Sequence, residues 1–232
     1  MAAEPGDSSP FAGLSLEHSS TVDRVADELR RALFDGDIEP GTPLREVALA
    51  DAMGVSRSTI REALAMLVNE GVATRAPNRG VYVTELSPGD VRDVCRSRAV
   101  LEVAGVRRWR AAAEESREAV RRALVDFTVA VQSDAGRAEL TAAHLAIHRS
   151  FVGLTESPRL IALADALTAE VRLGLAKVDR IRRNSSDQVA SHRALLNLLE
   201  RDDVEAAAAE LEHHLEHAED SMLDALHLPH AP

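Results

Sequence analysis

Apolar positions recur at helical spacing along most of this chain and give way to strand-like alternation at one place near its front. Leu49, Ala50, Met53 and Val55 give a short segment an apolar side that ends at Gly54. After that glycine, Ile60, Ala63, Leu64 and Leu67 form the stripe of an amphipathic helix running to Asn69. Gly54 is the expected corner between the two helices, because glycine alone takes positive φ without steric cost. Ser56 is the expected N-cap of the second helix, its hydroxyl covering free backbone N–H groups. From Gly71 the pattern changes. Val72-Ala73-Thr74-Arg75 and Val81-Tyr82-Val83-Thr84 read as two strands, joined by Ala76-Pro77-Asn78-Arg79-Gly80.

Ser87-Pro88-Gly89-Asp90 then signals a helix start, with serine as N-cap and proline in the first turn. Beyond it strand signals disappear, and Ala, Leu, Arg and Glu dominate. The pattern predicts helices near 89–112, 115–132, 136–154, 158–182, 186–201 and 203–226. The breaks fall around Ala113-Glu114, Ser133-Asp134, Ser157-Pro158, Asn184-Ser185 and Asp202. Connections this short imply an antiparallel bundle. No internal repeat is visible.

Helix, tight turn, second helix and hairpin in this order are what reading duplex DNA requires. Arg57 and Arg61 fall together on the second helix, away from its buried stripe, with Ser58 and Thr59 beside them. A recognition helix puts its first turns in the major groove, where Arg grips guanine and Ser or Thr bonds phosphate or base edges. Arg79-Gly80 at the hairpin tip can enter the adjacent minor groove. An ordinary solvated helix would also carry arginines outside, but the turn before it and the hairpin after it favour a DNA reader.

At this point the segment resembles the winged helix of the GntR superfamily of bacterial transcription regulators, over roughly residues 20–84. The matching residues are Pro40-Gly41, Leu49-Ala50, Gly54-Val55-Ser56-Arg57, Arg61-Glu62-Ala63-Leu64, Gly71 and Arg79-Gly80. The resemblance implies DNA contacts from Ser56, Arg57, Ser58, Thr59, Arg61, Arg79 and Gly80. Val47 departs from it, since many relatives carry there an Arg that touches the operator. Arg45 is the candidate substitute, ranked below Arg57 and Arg61.

Composition bounds the rest. With 232 residues, 45% hydrophobic and 28% charged, the chain can form one large or two small globular domains. No apolar run is long enough to span a bilayer, so no membrane partner is expected. The N-terminal residues lack the basic start and apolar stretch of a secretion signal and read as a flexible arm. The single cysteine, Cys95, excludes an internal disulfide and fits a reducing cytoplasm; in a helical pattern it reads as a small packed residue. A net charge of −11 does not exclude DNA, because phosphate binding depends on local charge. From Arg57 to Arg79 four Arg stand against Glu62 and Glu70, a local net of +2, while acid concentrates between Glu200 and Asp224. Lys177 is the only lysine, a bias that points to a GC-rich genome.

The bundle holds a second constellation. His144 and His148 sit four apart on one predicted helix, His192 on a later one, and His213, His214 and His217 on the last. Two imidazoles at i and i+4, with single ones from facing helices, is how bundles build metal sites in their cores. Taken singly, each reads first as a surface or satisfied core histidine. The bundle also resembles the FCD effector domain of FadR-type regulators. That resemblance implies metal ligands at His148, His192 and His214, with Ala194-Leu195-Leu196 and Asp202 to Ala207 matching the surrounding pattern. His144 stands where relatives usually have Asp.

Four neutral imidazoles would leave a divalent ion its full charge, favour Zn or Ni, and attract an anionic ligand. The rival is a drifted site in which imidazoles bond an organic acid directly. His217 is a spare ligand candidate. Arg98 and Glu102, four apart, also match the family; Arg98 could grip a carboxylate effector or merely pair with Glu102. Arg172 is a second effector candidate.

The expectation is a mainly α protein. A flexible arm (1–19) precedes a winged helix-turn-helix of three helices plus a β-hairpin wing (20–85). An FCD-like all-α antiparallel bundle for effector binding and dimerisation (86–227) and a tail (228–232) follow. The expected function is a cytoplasmic, ligand-responsive repressor, binding a palindromic operator as a homodimer and switched by a small organic acid on a divalent metal. The alternatives are a regulator that senses the metal ion itself and, less favoured, a metal-dependent enzyme. Against the enzyme, no Glu or Asp stands beside the His pairs as a general base, and no HExxH or nucleophile elbow occurs.

Overall fold

The computed structural model describes residues 20–175 and 180–228. The expected arm, Lys177 and the last four residues of the expected tail lie outside the described residues. Helix α1 (Thr21–Asp35) begins at a capping box. The Ser20 hydroxyl accepts from the Asp23 backbone N–H, and the Asp23 carboxylate accepts from the Ser20 backbone N–H. Helices α2 (Glu46–Met53) and α3 (Arg57–Asn69) meet at Gly54, whose φ of 65° lies in the left-handed region. Ser56 caps α3, its hydroxyl accepting from the Thr59 N–H at 3.1 Å. The stripe Ile60, Ala63, Leu64 and Leu67 is buried against Leu29 and Leu33 of α1.

Strands β1 (Ala73–Ala76) and β2 (Gly80–Val83) form an antiparallel hairpin in which Ala73 faces Val83 and Ala76 faces Gly80. Both differ by one residue from the sequence expectation. The Ala76–Gly80 pair closes the ladder, leaving Pro77-Asn78-Arg79 as the connection. Pro77, Asn78 at φ 60° and the Arg79 N–H donating to Ala76 O at 3.2 Å fit a type II turn. The segment before α2 is tied to β2 by the Leu44 N–H on Val81 O at 2.8 Å and the Val83 N–H on Thr42 O at 2.9 Å.

Six further helices follow among the described residues: α4 (Pro88–Val106), α5 (Glu114–Gln132), α6 (Arg137–Gly153), α7 (Pro158–Gly174), α8 (Arg180–Glu200) and α9 (Val204–Ala225). The described chain is thus mainly α, a winged helix-turn-helix followed by an all-helical domain. Helix α6 is central, packing against α4, α5, α7 and α8. Gly105 allows α4 to approach it: a Cβ there would sit 1.9 Å from the Phe151 carbonyl oxygen. No described helix is long and apolar enough to cross a membrane.

Three helix ends depart from expectation. Helix α4 stops at Val106, because the Arg108, Trp109 and Ala111 N–H groups reach back only three residues. The tightened turn swings Trp109 into the core. Helix α7 stops at Gly174 and not near 182. The break expected at Asn184 is a kink inside α8, where Asn184 leaves helical geometry (φ −133°, ψ 22°). Helix α7 also crosses between the two parts of the molecule. Its Leu173 is buried in the winged-helix core with Ala169 packed alongside, while Val171 and Leu175 join a cluster with α4 and α9.

Candidate functional site

Two sites emerge from this framework. At the first, the start of α2, the start of α3 and the wing enclose a cleft whose lining includes Arg45, Glu46, Val47, Arg57, Arg75 and Arg79. Arg57 and Arg61 point outward, their side chains 63% and 56% exposed. The Ser56 hydroxyl lies 2.7 Å from that of Ser58 and 2.9 Å from that of Thr59, so the three form a polar cluster at the N-terminus of α3. Arg79 lies over the Tyr82 ring with its guanidinium carbon 5.6 Å from the centroid, and Gly80 (φ 95°) follows it at the tip. Val47 is exposed in this cleft, and Arg45 stands beside it as the residue before α2.

Sequence reasoning missed Glu46. Its carboxylate accepts from Arg61 Nε at 3.1 Å and Nη2 at 2.8 Å, and lies 3.9 Å from Arg57 Nη2. The Arg61 hydrogen bond holds the Glu46 carboxyl below its ordinary range, and Glu46 in turn raises Arg61. Arg61 is therefore pre-oriented by a bidentate pair that DNA must share or displace. Arg75, also in the cleft, was counted in the local charge but not singled out.

The second site lies inside the bundle. His144 and His148 of α6, His192 of α8 and His214 of α9 bring one ligand atom each within 4.8 Å of one another. The first three are buried, and His214 is partly so. Phe127 packs beside His144, with ring centroids 5.3 Å apart.

Hydrogen bonds orient three of the rings, that of His214 through its Nδ1 and the Ser191 hydroxyl at 3.4 Å. Nδ1 of His192 lies 2.7 Å from the Gln188 carbonyl oxygen. Nδ1 of His148 lies 2.7 Å from Oε2 of Glu102, whose Oε1 accepts from Arg98 Nε at 3.0 Å. A carbonyl can only accept, so Nδ1 of His192 carries its proton and Nε2 keeps a lone pair. An ionised Glu102 demands the same of His148. The two Nε2 atoms nevertheless face each other at 3.2 Å. Two lone pairs at that distance repel unless a proton or a cation lies between them. Two imidazoles on one tetrahedral ion at ~2.0–2.1 Å would stand about 3.3 Å apart. The donor set therefore fits a borderline divalent metal. Burial lowers the His192 pKa, which keeps its ring neutral as a ligand must be. Burial raises Glu102, opposed by Arg98.

The sequence offered no Glu or Asp beside the His pairs as a general base, yet one carboxylate does reach them. Glu102 does so because α4 packs on α6. It sits on the far side of the His148 ring from Nε2, so it orients the ligand and is not poised as a base at the metal. The pair with Arg98 is close to neutral in sum, and a bound ion would keep an excess of positive charge. Arg98 makes the intrahelical pair that was one of its two alternatives, yet its buried Nη2 finds no hydrogen-bond partner among the described residues. A small cavity bounded by Arg98, Glu102, His148, Ala164 and Thr168 adjoins it.

Two other candidates lie elsewhere. The Arg172 guanidinium stacks on Phe34 of α1, 4.3 Å from the ring centroid, in the seam between α7 and the winged helix. Its long side chain covers an aromatic face there instead of reaching the histidines. His217 faces His213, four residues before it, on the exposed side of α9, whereas His214 joins the buried cluster.

Known proteins bear on both sites. Residues 21–83 match the family model for bacterial regulatory proteins of the gntR family, and residues 93–217 match that for the FCD domain. The chain is 29% identical over 206 residues to a probable D-xylose utilization operon transcriptional repressor of Paenarthrobacter nicotinovorans, covering 86% of this chain and 88% of that one. It is 31% identical over 184 residues to the Nta operon transcriptional regulator of Aminobacter aminovorans, covering 77% and 83% respectively. The crystal structure of a protein assigned as a GntR transcriptional regulator from Rhodococcus sp. RHA1 superposes with a TM-score of 0.78 at 28% identity, covering 89% of this chain and 99% of that one.

Proposed function

Since this chain belongs to the gntR family of bacterial regulatory proteins and carries an FCD domain behind its winged helix, we propose that it is a DNA-binding transcriptional repressor under metal and ligand control. The same membership makes it a regulator and not an enzyme. The relatives named for the D-xylose and Nta operons support regulation of an operon. One recognition helix and wing read one half-site, so a palindromic operator calls for a homodimer, with the bundle as its main contact. Arg57, Arg61 and Arg79 are the principal readers. Ser56, Ser58 and Thr59 bond phosphate or base edges, and Arg45 and Gly80 approach the backbone.

The control reading is carried by one observation, the two Nε2 atoms of His148 and His192 facing each other at 3.2 Å with both Nδ1 atoms engaged elsewhere. His144, His148, His192 and His214 would hold a divalent ion, Zn or Ni by donor type. When bound, it supplies the positive charge on which an organic carboxylate docks. Glu102 fixes the His148 ring, and Arg98 turns its spare Nη2 toward the acid. Helix α7 carries the signal outward. Ala164 and Thr168 border the cavity by Arg98, while Leu173 and Arg172 pack on the winged helix. An effector that favours one seat of α7 shifts the two reading heads against each other.

The burial of the histidines and the small size of the adjoining cavity favour a second reading, in which the ion alone is the effector. One experiment separates the two. The metal-stripped protein is screened by thermal shift with organic acids, with and without zinc, and hits are taken to mobility shifts on the chain's own upstream DNA. An acid that stabilises only with zinc and alters the shift supports the first reading. A DNA response to zinc alone supports the second. Unchanged DNA affinity in both Arg57→Ala and Arg61→Ala sinks the DNA assignment.

A further inference from the structure

We propose that His213 and His217 form a second metal site, an exposed and exchangeable one for a borderline transition cation such as Ni2+, Zn2+ or Cu2+. It is separate from the buried cluster and does not depend on it. Four residues apart on α9, the two histidines share one helix face. Their rings meet at 83° with centroids 4.3 Å apart, and their Nε2 atoms are 3.0 Å apart. Two imidazoles bound at ~2.0–2.1 Å to one ion, at angles between octahedral and tetrahedral, stand about 2.8–3.4 Å apart. The pair is thus already set at chelating distance.

His214 lies between them in sequence but turns inward to the buried cluster, so one helix presents imidazoles to two different places. In the metal-free pair one Nε2–H donates to the other Nε2. A metal takes both nitrogens once that proton has moved to Nδ1 of the same ring. For His213 this leaves Nδ1–H on the side of Glu216, whose Oε2 lies 3.9 Å away. The surroundings favour a cation. Helix α9 carries Glu210, Glu212, Glu216, Glu219 and Asp220 along this stretch and has no Lys or Arg of its own; Arg107 and Arg92 from the α4 side lie 3.6 Å and 3.9 Å from Glu212 and Glu219, which leaves Glu216 as the carboxylate facing the pair. Two protein ligands leave the remaining positions to water, so the site binds more weakly than four imidazoles and exchanges its ion freely.

The test is a Ni2+ titration by calorimetry of the chelator-stripped full chain, as wild type, His213→Ala, His217→Ala and His192→Ala. Both surface variants replace exposed side chains, and unchanged metal-free thermal midpoints establish their folding. The expected result is two classes of site per wild-type chain, with the weaker lost, at least about tenfold weaker, in each surface variant while the tighter persists. His192→Ala should lose the tighter class and keep the weaker. If no tight class appears in any chain but a weak one vanishes in His217→Ala, the surface site stands and the buried-metal reading falls. A wild type with no weaker class, or a weaker class that survives both surface substitutions, overturns the proposal.

Discussion

Nε2 of His148 and Nε2 of His192 face each other at 3.2 Å, although their Nδ1 atoms are already committed to Glu102 and to the Gln188 carbonyl. In the metal-free protein one further proton must be held among His148, His192 and Glu102 to relieve the contact. A metal ion replaces it. Zinc binding should therefore release about one proton, and affinity should rise with pH by up to about tenfold per unit while that proton is held. Calorimetry in buffers of different ionisation enthalpy measures the release. A proton count near zero at neutral pH would contradict the tautomer assignment.

Glu102 orients His148 from behind. Glu102→Gln keeps its shape but removes the charge that draws the Nδ1 proton, so zinc affinity should fall roughly 10- to 100-fold, the usual cost of losing an outer partner. The measurement is competition with a chromophoric chelator, with circular dichroism to verify the fold. Equal affinity would mean that the carboxylate serves only Arg98.

Gly105 permits the close crossing of α4 over α6. Gly105→Ala would place a methyl carbon 1.9 Å from a backbone oxygen that cannot rotate away. The expected loss is about 1–3 kcal/mol or more of stability, read from urea denaturation. Zinc affinity should drop with it, because Phe151 shares α6 with His148. A variant as stable as wild type would show that the helices part without cost.

At the reading face, Arg57→Ala and Arg61→Ala should each weaken specific binding by about 1–3 kcal/mol, roughly 5- to 150-fold. Glu46→Ala should do the opposite for unspecific DNA, raising affinity and steepening its salt dependence, because it removes the carboxylate that engages Arg61. Anisotropy titrations on operator and random duplexes at two salt concentrations read both effects. If Glu46→Ala weakens unspecific binding, Glu46 is chiefly a positioner of Arg61.

Arg172 belongs to the seam and not to the pocket. Arg172→Ala should leave zinc and acid binding unchanged while losing about 0.5–2 kcal/mol of contact with Phe34. The change should appear as a reduced effect of ligand on DNA affinity. Abolished acid binding would restore it to the effector site.

What sequence could reveal here was local. Gly54, Ser56 and the Ile60–Leu67 stripe act within a turn or two of chain, so their roles are written in spacing. The histidines were visible because i and i+4 share a face. Glu102 was legible as a residue but not as a partner of His148, since they meet only through the packing of α4 on α6. A charged residue flanked by Leu101 and Val103 in a helix was the available signal. Glu46 reaches Arg61 across the corner of two helices, which the helical period does not encode. Helix α4 ended early because hydrogen bonds tightened to bury Trp109. Arg172 went astray because a mid-helix arginine among leucines reads alike whether it faces a ligand or a neighbouring domain.

The most direct test of the account is the metal content of the purified chain. Wild type and His192→Ala are equilibrated with zinc, passed through a desalting column to strip weakly held ions, and analysed by elemental emission. One retained ion is expected per wild-type chain and none in a folded His192→Ala. A wild type that retains no stoichiometric metal, or a His192→Ala that retains as much, would contradict it.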